Sequence, residues 1–285
     1  MRKKIILAVV ILCVCFSIFG CKKKKITSQE AKKTEETNSN IEKNKKNTTE
    51  EKKKIEKEVP VAENQVSSQI EEKKINEITV VIDPGHTAVM AGGQEPVGPG
   101  ASEYKSADTL GTKGVITGIP EYEFTLNLGI KLRTELESRG YHVVMTRETS
   151  NLSLSCVQRA EIMNNAGASA CIRIHADGSE SSAAQGAMGI CITPSNPYVA
   201  TMYEQSRRLS DCVLNHFVAV TGSNSRGIWE TDTMSGNNWS KIPVTLLECG
   251  FMTNPQEDQK LADAGYQEQM VQGVADGLDE YFGKN

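Results

Sequence analysis

Three apolar runs in the chain each stop on a side chain able to hold a metal or move a proton: TVVIDPGH ends at His86, ACIRIH at His175 and VTLLE at Glu248. A parallel sheet gathers ligands at the carboxyl ends of its strands, so endings remote in sequence can converge on one small volume. A catalytic zinc asks for such a convergence, with three protein ligands and a fourth position left to water.

Only four histidines are present. His86 follows an Asp-Pro-Gly turn in which Gly85 permits a sharp bend and Pro84 stiffens the exit. His175 closes an apolar strand before the polar turn Ala176-Asp177-Gly178. His142 opens a strand and His216 lies inside a helix, so both read as structural. Glu123, in the first turn of the helix after a Gly-rich stretch, is the expected third ligand. An acid at that point is also favoured by the helix dipole, a role that Glu121 fills equally well. Glu248 ends an otherwise apolar strand, where a lone carboxylate is costly without a cation or a proton. Beside a metal it would serve as general base and then acid. Without one it would cap the following turn. No H-E-x-x-H occurs, which excludes the helical metalloprotease arrangement.

The elements that must position these residues begin at Ile78. Strands are expected at 78–82, 141–146, 169–175, 187–193, 227–230 and 243–248, with helices at 121–139, 154–166, 198–220 and 266–282. Helices of ten or more residues between short apolar strands specify an α/β domain: a single, mostly parallel, twisted sheet of about six strands with helices on both faces. The stretch from Thr87 to Pro120 is longer than a simple connection needs, and loops of that length are commonly functional.

The chain has 285 residues, and its first 77 contain almost nothing that could form a core. Residues 1–21, MRKKIILAVVILCVCFSIFGC, have a basic start, an apolar run and Gly20 before Cys21. That is the layout of a secretory signal, and the ending IFGC resembles a bacterial lipobox with Cys21 as the lipid attachment point; an uncleaved anchor helix is the alternative. Residues 22–77, rich in Lys, Glu, Asn, Thr and Ser, read as a disordered tether. As a flexible coil they would span roughly 40 Å. Residues 78–285 form the domain. From Ile78 onward 14 Lys and Arg stand against 24 Asp and Glu, a net charge of −10 that argues against nucleic acid as a partner. Cys156, Cys171, Cys191, Cys212 and Cys249 include no C-x-x-C, which counts against a thiolate metal site.

Taken together, VVIDPGH, EFTLNL (Glu123 to Leu128), RAEIMNNAGASACIRIHADGS, RGI (Arg226 to Ile228) and IPVTLLECGFMTN resemble the zinc-dependent N-acetylmuramoyl-L-alanine amidases of the type 3 class, over Ile78 to Phe282. The resemblance implies zinc on His86, Glu123 and His175, and Glu248 as catalytic glutamate. It implies peptidoglycan as substrate, cut at the amide between the lactyl group of N-acetylmuramic acid and L-alanine of the stem peptide. Asp177 departs from the pattern, where the family more often has Asn. Arg226 either holds a substrate carboxylate or braces its loop. Asn237, with Trp229, Asn238 and Trp239, is placed in a groove wall as a substrate-binding residue. The combined expectation is a monomeric enzyme held by a lipid anchor on the outer face of a bacterial cytoplasmic membrane. A zinc peptidase cutting another stem-peptide bond and a non-catalytic wall-binding lipoprotein are the rivals.

Overall fold

The computed structural model describes residues 78–284. The signal segment 1–21, the attachment point Cys21 and the tether 22–77 lie outside the described residues. Among those described, no helix is long and apolar enough to cross a membrane.

Strands β1 (Thr79–Pro84), β4 (His142–Met145), β5 (Ala170–Asp177), β6 (Ala187–Cys191), β7 (Ser225–Glu230) and β8 (Val244–Phe251) build one six-stranded sheet in the order β4-β1-β5-β8-β6-β7. The pairs β4-β1, β1-β5 and β5-β8 are parallel. β6 runs antiparallel to β8, and β7 runs parallel to β6. The sheet is therefore mostly parallel, with a reversed pair on one flank. The long stretch after His86 is not featureless: β2 (Gln94–Pro96) and β3 (Tyr104–Ser106) form a small antiparallel ribbon within it.

Helices α1 (Glu121–Ser138), α3 (Tyr203–Thr221) and α6 (Ala264–Phe282) share a core with Val80, Ile82, Ile172, Ile174 and Leu247. Helix α2 (Cys156–Asn165) packs Ala160 and Met163 with Val81, Cys171 and Val244, the alternate residues of the same strands. Burial from both sides explains why β1 and β5 read as unbroken apolar runs. Two further helices escape the periodicity of the sequence. One is the single turn α4 (Ser235–Asn238), and the other is α5 (Pro255–Ala262), begun by an Asn254 cap on Gln256 and Glu257 with proline at its first position. Helix α2 starts on a reciprocal capping box between Ser155 and Gln158.

Helices α3 and α6 approach closely because α6 presents Gly273 and Gly277, one turn apart. A Cβ on Gly277 would stand 2.7 Å from the carbonyl oxygen of Cys212 and from Cα of Val213, both backbone atoms that cannot rotate away. Gly277→Ala is therefore expected to destabilise the domain by about 1–3 kcal/mol through overpacking, although alanine is the better helix former. A melting temperature equal to or above that of the parent would contradict this packing.

Candidate functional site

On the sheet face turned toward α2, β1, β5 and β8 change from apolar to polar as they approach their carboxyl ends. Alternation by two places Val81 and Asp83 on that face of β1, then Cys171, Arg173 and His175 on β5, and Val244, Leu246 and Glu248 on β8. Register completes the array, since Asp83 pairs with Arg173 and His175 with Glu248.

β1 leaves the sheet through Pro84 and Gly85 into His86, whose φ of +58° is the one positive value on a non-glycine residue among those described. Such backbone costs on the order of 1–3 kcal/mol and persists only where its surroundings fix it. Here donors address three successive carbonyls. Arg147 Nε (2.9 Å) and Arg159 Nη1 (2.8 Å) donate to Pro84, Arg147 Nη2 (2.9 Å) and Thr125 Oγ1 (2.8 Å) to Gly85, and Arg159 Nη2 (2.7 Å) to His86. The same Arg159 donates at 2.7 Å to Oδ1 of the fully buried Asp83, whose Oδ2 accepts from Arg173 Nε at 2.9 Å. Burial alone would raise the Asp83 pKa, but Arg159 and Arg173 hold it well below the usual carboxylate range.

The two histidines meet as expected, and the acid that joins them is Glu121. His86 Nε2 and His175 Nδ1 each lie 3.1 Å from Glu121 Oε1 and 3.1 Å from each other, with the rings edge to face. Oε1 also accepts from Ala176 N and Oε2 from Thr112 N, so the carboxylate is oriented from two sides. Burial raises the Glu121 pKa, yet the two imidazoles beside it, His175 and His86, outweigh burial and leave the group ionised. His175, pushed by burial to about 4, is neutral at physiological pH.

A cation fits this cluster. His86 Nδ1 lies 2.7 Å from the carbonyl of Thr109, which can only accept, so the ring proton sits there and Nε2 carries a lone pair. That lone pair faces an ionised carboxylate oxygen at 3.1 Å, a repulsive arrangement unless a positive charge lies between them. Bonds of 2.0–2.1 Å in tetrahedral geometry separate neighbouring ligand atoms by about 3.3 Å, close to the spacing found. The carbonyl of Thr109 is then the partner that orients a ligating imidazole.

Glu123 is exposed and takes no part in the cluster, which corrects the expected ligand. The reason is helical spacing. Glu121 precedes Phe124 and Thr125 by three and four residues and so continues the buried face of α1, whereas Glu123 points away from it. The apolar stripe Phe124, Leu128, Leu132, Leu136, extended back one turn, leads to Glu121.

Glu248 shares a cavity of about 490 Å³ with all three cluster residues. Its Oε2 is buried without a partner among the described residues, as is Nε2 of His175. Burial, then the charges of Glu121 and Asp177, raise its pKa well above the ordinary value, as suits a group that accepts a proton and returns it. One wall of the cavity is Lys105 to Thr112 of the long loop, and another is Met234 to Gly236. Arg226 reaches the rim through Asp177, to which it donates at 2.9 Å while stacking 4.4 Å over Phe251. Asn237 is fully buried and accepts from Arg173 at 3.1 Å, so it positions that arginine and does not reach the cavity. Asn238 and Trp239 likewise turn inward, tying their loop to the carbonyls of Val97 and Pro96. Trp229 stays exposed.

Residues 80–280 match the family model described as N-acetylmuramoyl-L-alanine amidase. The chain is 27% identical over 225 residues to N-acetylmuramoyl-L-alanine amidase LytC of Bacillus subtilis, covering 78% of this chain and 39% of LytC. It is 28% identical over 208 residues to N-acetylmuramoyl-L-alanine amidase Rv3717 of Mycobacterium tuberculosis, covering 70% and 85%. In fold it is similar to the crystal structure of the N-acetylmuramyl-L-alanine amidase Ami1 from Mycobacterium smegmatis, with a TM-score of 0.66 at 23% identity, covering 73% and 98%.

The two acids of α1 are separable by experiment. Glu121→Gln is expected to lower the affinity for added zinc by about 10-fold or more, whereas Glu123→Gln leaves it unchanged, with metal content read after dialysis against a zinc buffer. Equal loss in both variants would contradict the cluster. In metal-free protein an NMR titration of the imidazoles should find His175 neutral down to about pH 4. A midpoint near 6.5 would mean that the ring is not desolvated as its burial implies.

Proposed function

Since the chain belongs to the N-acetylmuramoyl-L-alanine amidase family, we propose that it is a zinc-dependent enzyme that cuts the amide between N-acetylmuramic acid and L-alanine in peptidoglycan. The observation that carries this reading is the convergence of His86 Nε2, Glu121 Oε1 and His175 Nδ1, three lone-pair donors about one zinc-ligand spacing apart, beside the buried carboxyl of Glu248.

His86, Glu121 and His175 would hold the metal. When bound, zinc supplies Lewis acidity that polarises the scissile carbonyl and lowers the pKa of a water to about 7. The remaining work falls to the protein. Glu248, opposite His175 in register, takes the proton of the attacking water and delivers it to the departing L-alanine nitrogen. Its buried, partnerless Oε2 is free for that transfer, and the charge of Glu121 makes proton uptake easier. The Arg159 and Arg147 guanidiniums keep the His86 turn from relaxing, and Thr109 holds the tautomer that leaves Nε2 free.

The setting follows from the first 77 residues. A signal ending at Cys21, lipidated there, and a polar tether would hold a monomeric catalytic domain within reach of the wall on the outer face of the bacterial cytoplasmic membrane. An extracytoplasmic place agrees with a relative described as a probable cell wall amidase, LytH of Staphylococcus aureus. Asp177 and Arg226, paired at the rim, would meet the substrate where it enters.

On purified peptidoglycan, Glu248→Ala is expected to keep its zinc and lose about 10²- to 10⁴-fold in rate. Mass spectrometry of wild-type digests should find the new amino group on L-alanine. A new amino terminus on an interior residue would identify a peptidase instead, and an undiminished Glu248→Ala rate would remove that residue from the reaction.

A further inference from the structure

Arg173 lies two residues before His175 on the same face of β5, at the floor of the cavity, and is only 4% exposed. Its Nε is spent on Asp83 and its Nη1 on Asn237 Oδ1. Those two bonds fix the plane of the guanidinium. Nη2 has no acceptor among the described residues, nor is it sealed in the protein with the other partnerless polar atoms, so it opens on the cavity that Arg173 lines. Charge points the same way. Asp83 pairs with both Arg159 and Arg173, so the floor carries two guanidiniums on a single salt-bridged carboxylate. A desolvated cation with a free, oriented donor is costly to keep unless an anion comes to it.

Resting on the amidase reading above, we infer that Arg173 is a specificity-determining residue that binds a carboxylate on the peptide side of the substrate. The muramoyl side offers no anion, because its one carboxyl group is the acyl half of the scissile amide. The carboxylate must therefore belong to the stem peptide beyond L-alanine, and the peptide enters the cleft while the glycan crosses its rim. The counter-ion role toward Asp83 does not account for Nη2, since Arg159 already shares that duty.

The test uses two soluble substrates, N-acetylmuramoyl-L-alanyl peptides identical except that the residue after L-alanine carries either a free carboxylate or the carboxamide. The full chain loaded with zinc is expected to favour the carboxylate by about 10- to 100-fold in kcat/KM, chiefly through KM. Gly236→Ala supplies a variant that keeps the charge. A Cβ there would stand 2.6 Å from Cζ and Nη1 of Arg173 and 2.8 Å from Nη2, forcing the guanidinium out of the plane its two bonds set. Both Gly236→Ala and Arg173→Lys should bring the preference toward one with zinc content unchanged. Calorimetry with the released L-alanyl peptides, acid against amide, reads the same discrimination without turnover. Equal rates for the two substrates, or equal affinities for the two released peptides, would overturn the role of Arg173 and leave the amidase reading intact. Cleavage of neither substrate by zinc-loaded protein would instead overturn the amidase reading, and the calorimetry would still decide on Arg173.

Discussion

The carboxylate of Asp83 is the point on which the site depends. It is buried without solvent and meets the hydroxyl of Thr146 after β4, Arg159 from α2 and Arg173 from β5, so three strands and a helix are indexed to one side chain. Removing one partner of such a group leaves an unanswered charge and costs roughly 3–5 kcal/mol. The same Arg159 answers the carbonyl of His86. The strained turn that presents the first histidine is thus stabilised by an ion pair below the cluster.

Charge alternates with depth along the face that α2 partly covers. Apolar residues lie farthest in, the arginine floor comes next, and the acids Glu121, Glu248 and Asp177 stand nearer the mouth. Each layer is about one strand repeat, two residues, above the last. An acidic mouth over a basic floor attracts a metal to one level and repels it from the other. On the readings proposed above, the sheet would separate metal binding from anion binding without a second domain.

Much of this is legible in the sequence, for identifiable physical reasons. Long apolar runs bounded by turns define strands, and a reactive residue that ends such a run stands out against its neighbours, which makes His86, His175 and Glu248 evident. Glu121 escapes a reading that weighs acid identity without helix phase, although Phe124, Leu128, Leu132 and Leu136 fix that phase. The reversal of β6 does not show in its composition, since an apolar strand reads the same in both directions. Its signal lies in residues 178–186, which hold no helix to carry a parallel crossover. Asn237 and Trp239 are misplaced on a groove wall because polar and aromatic residues in a loop look alike whether they face solvent or bind buried partners.

The reversed flank changes which parts of the chain shape the entrance. Because β7 enters the sheet at the edge where β8 leaves it, Ser225 lies opposite Ala187 at the cleft end, and the turn after α3 delivers Arg226 to Asp177. A strand running the other way offers its beginning, preceded by a short loop, in place of its end. Residues 222–224 therefore help to shape the entrance, while the candidate ligands are held by other elements, the ends of β1 and β5 and the first turn of α1. The entrance and the candidate metal cluster are thus built by separate parts of the chain.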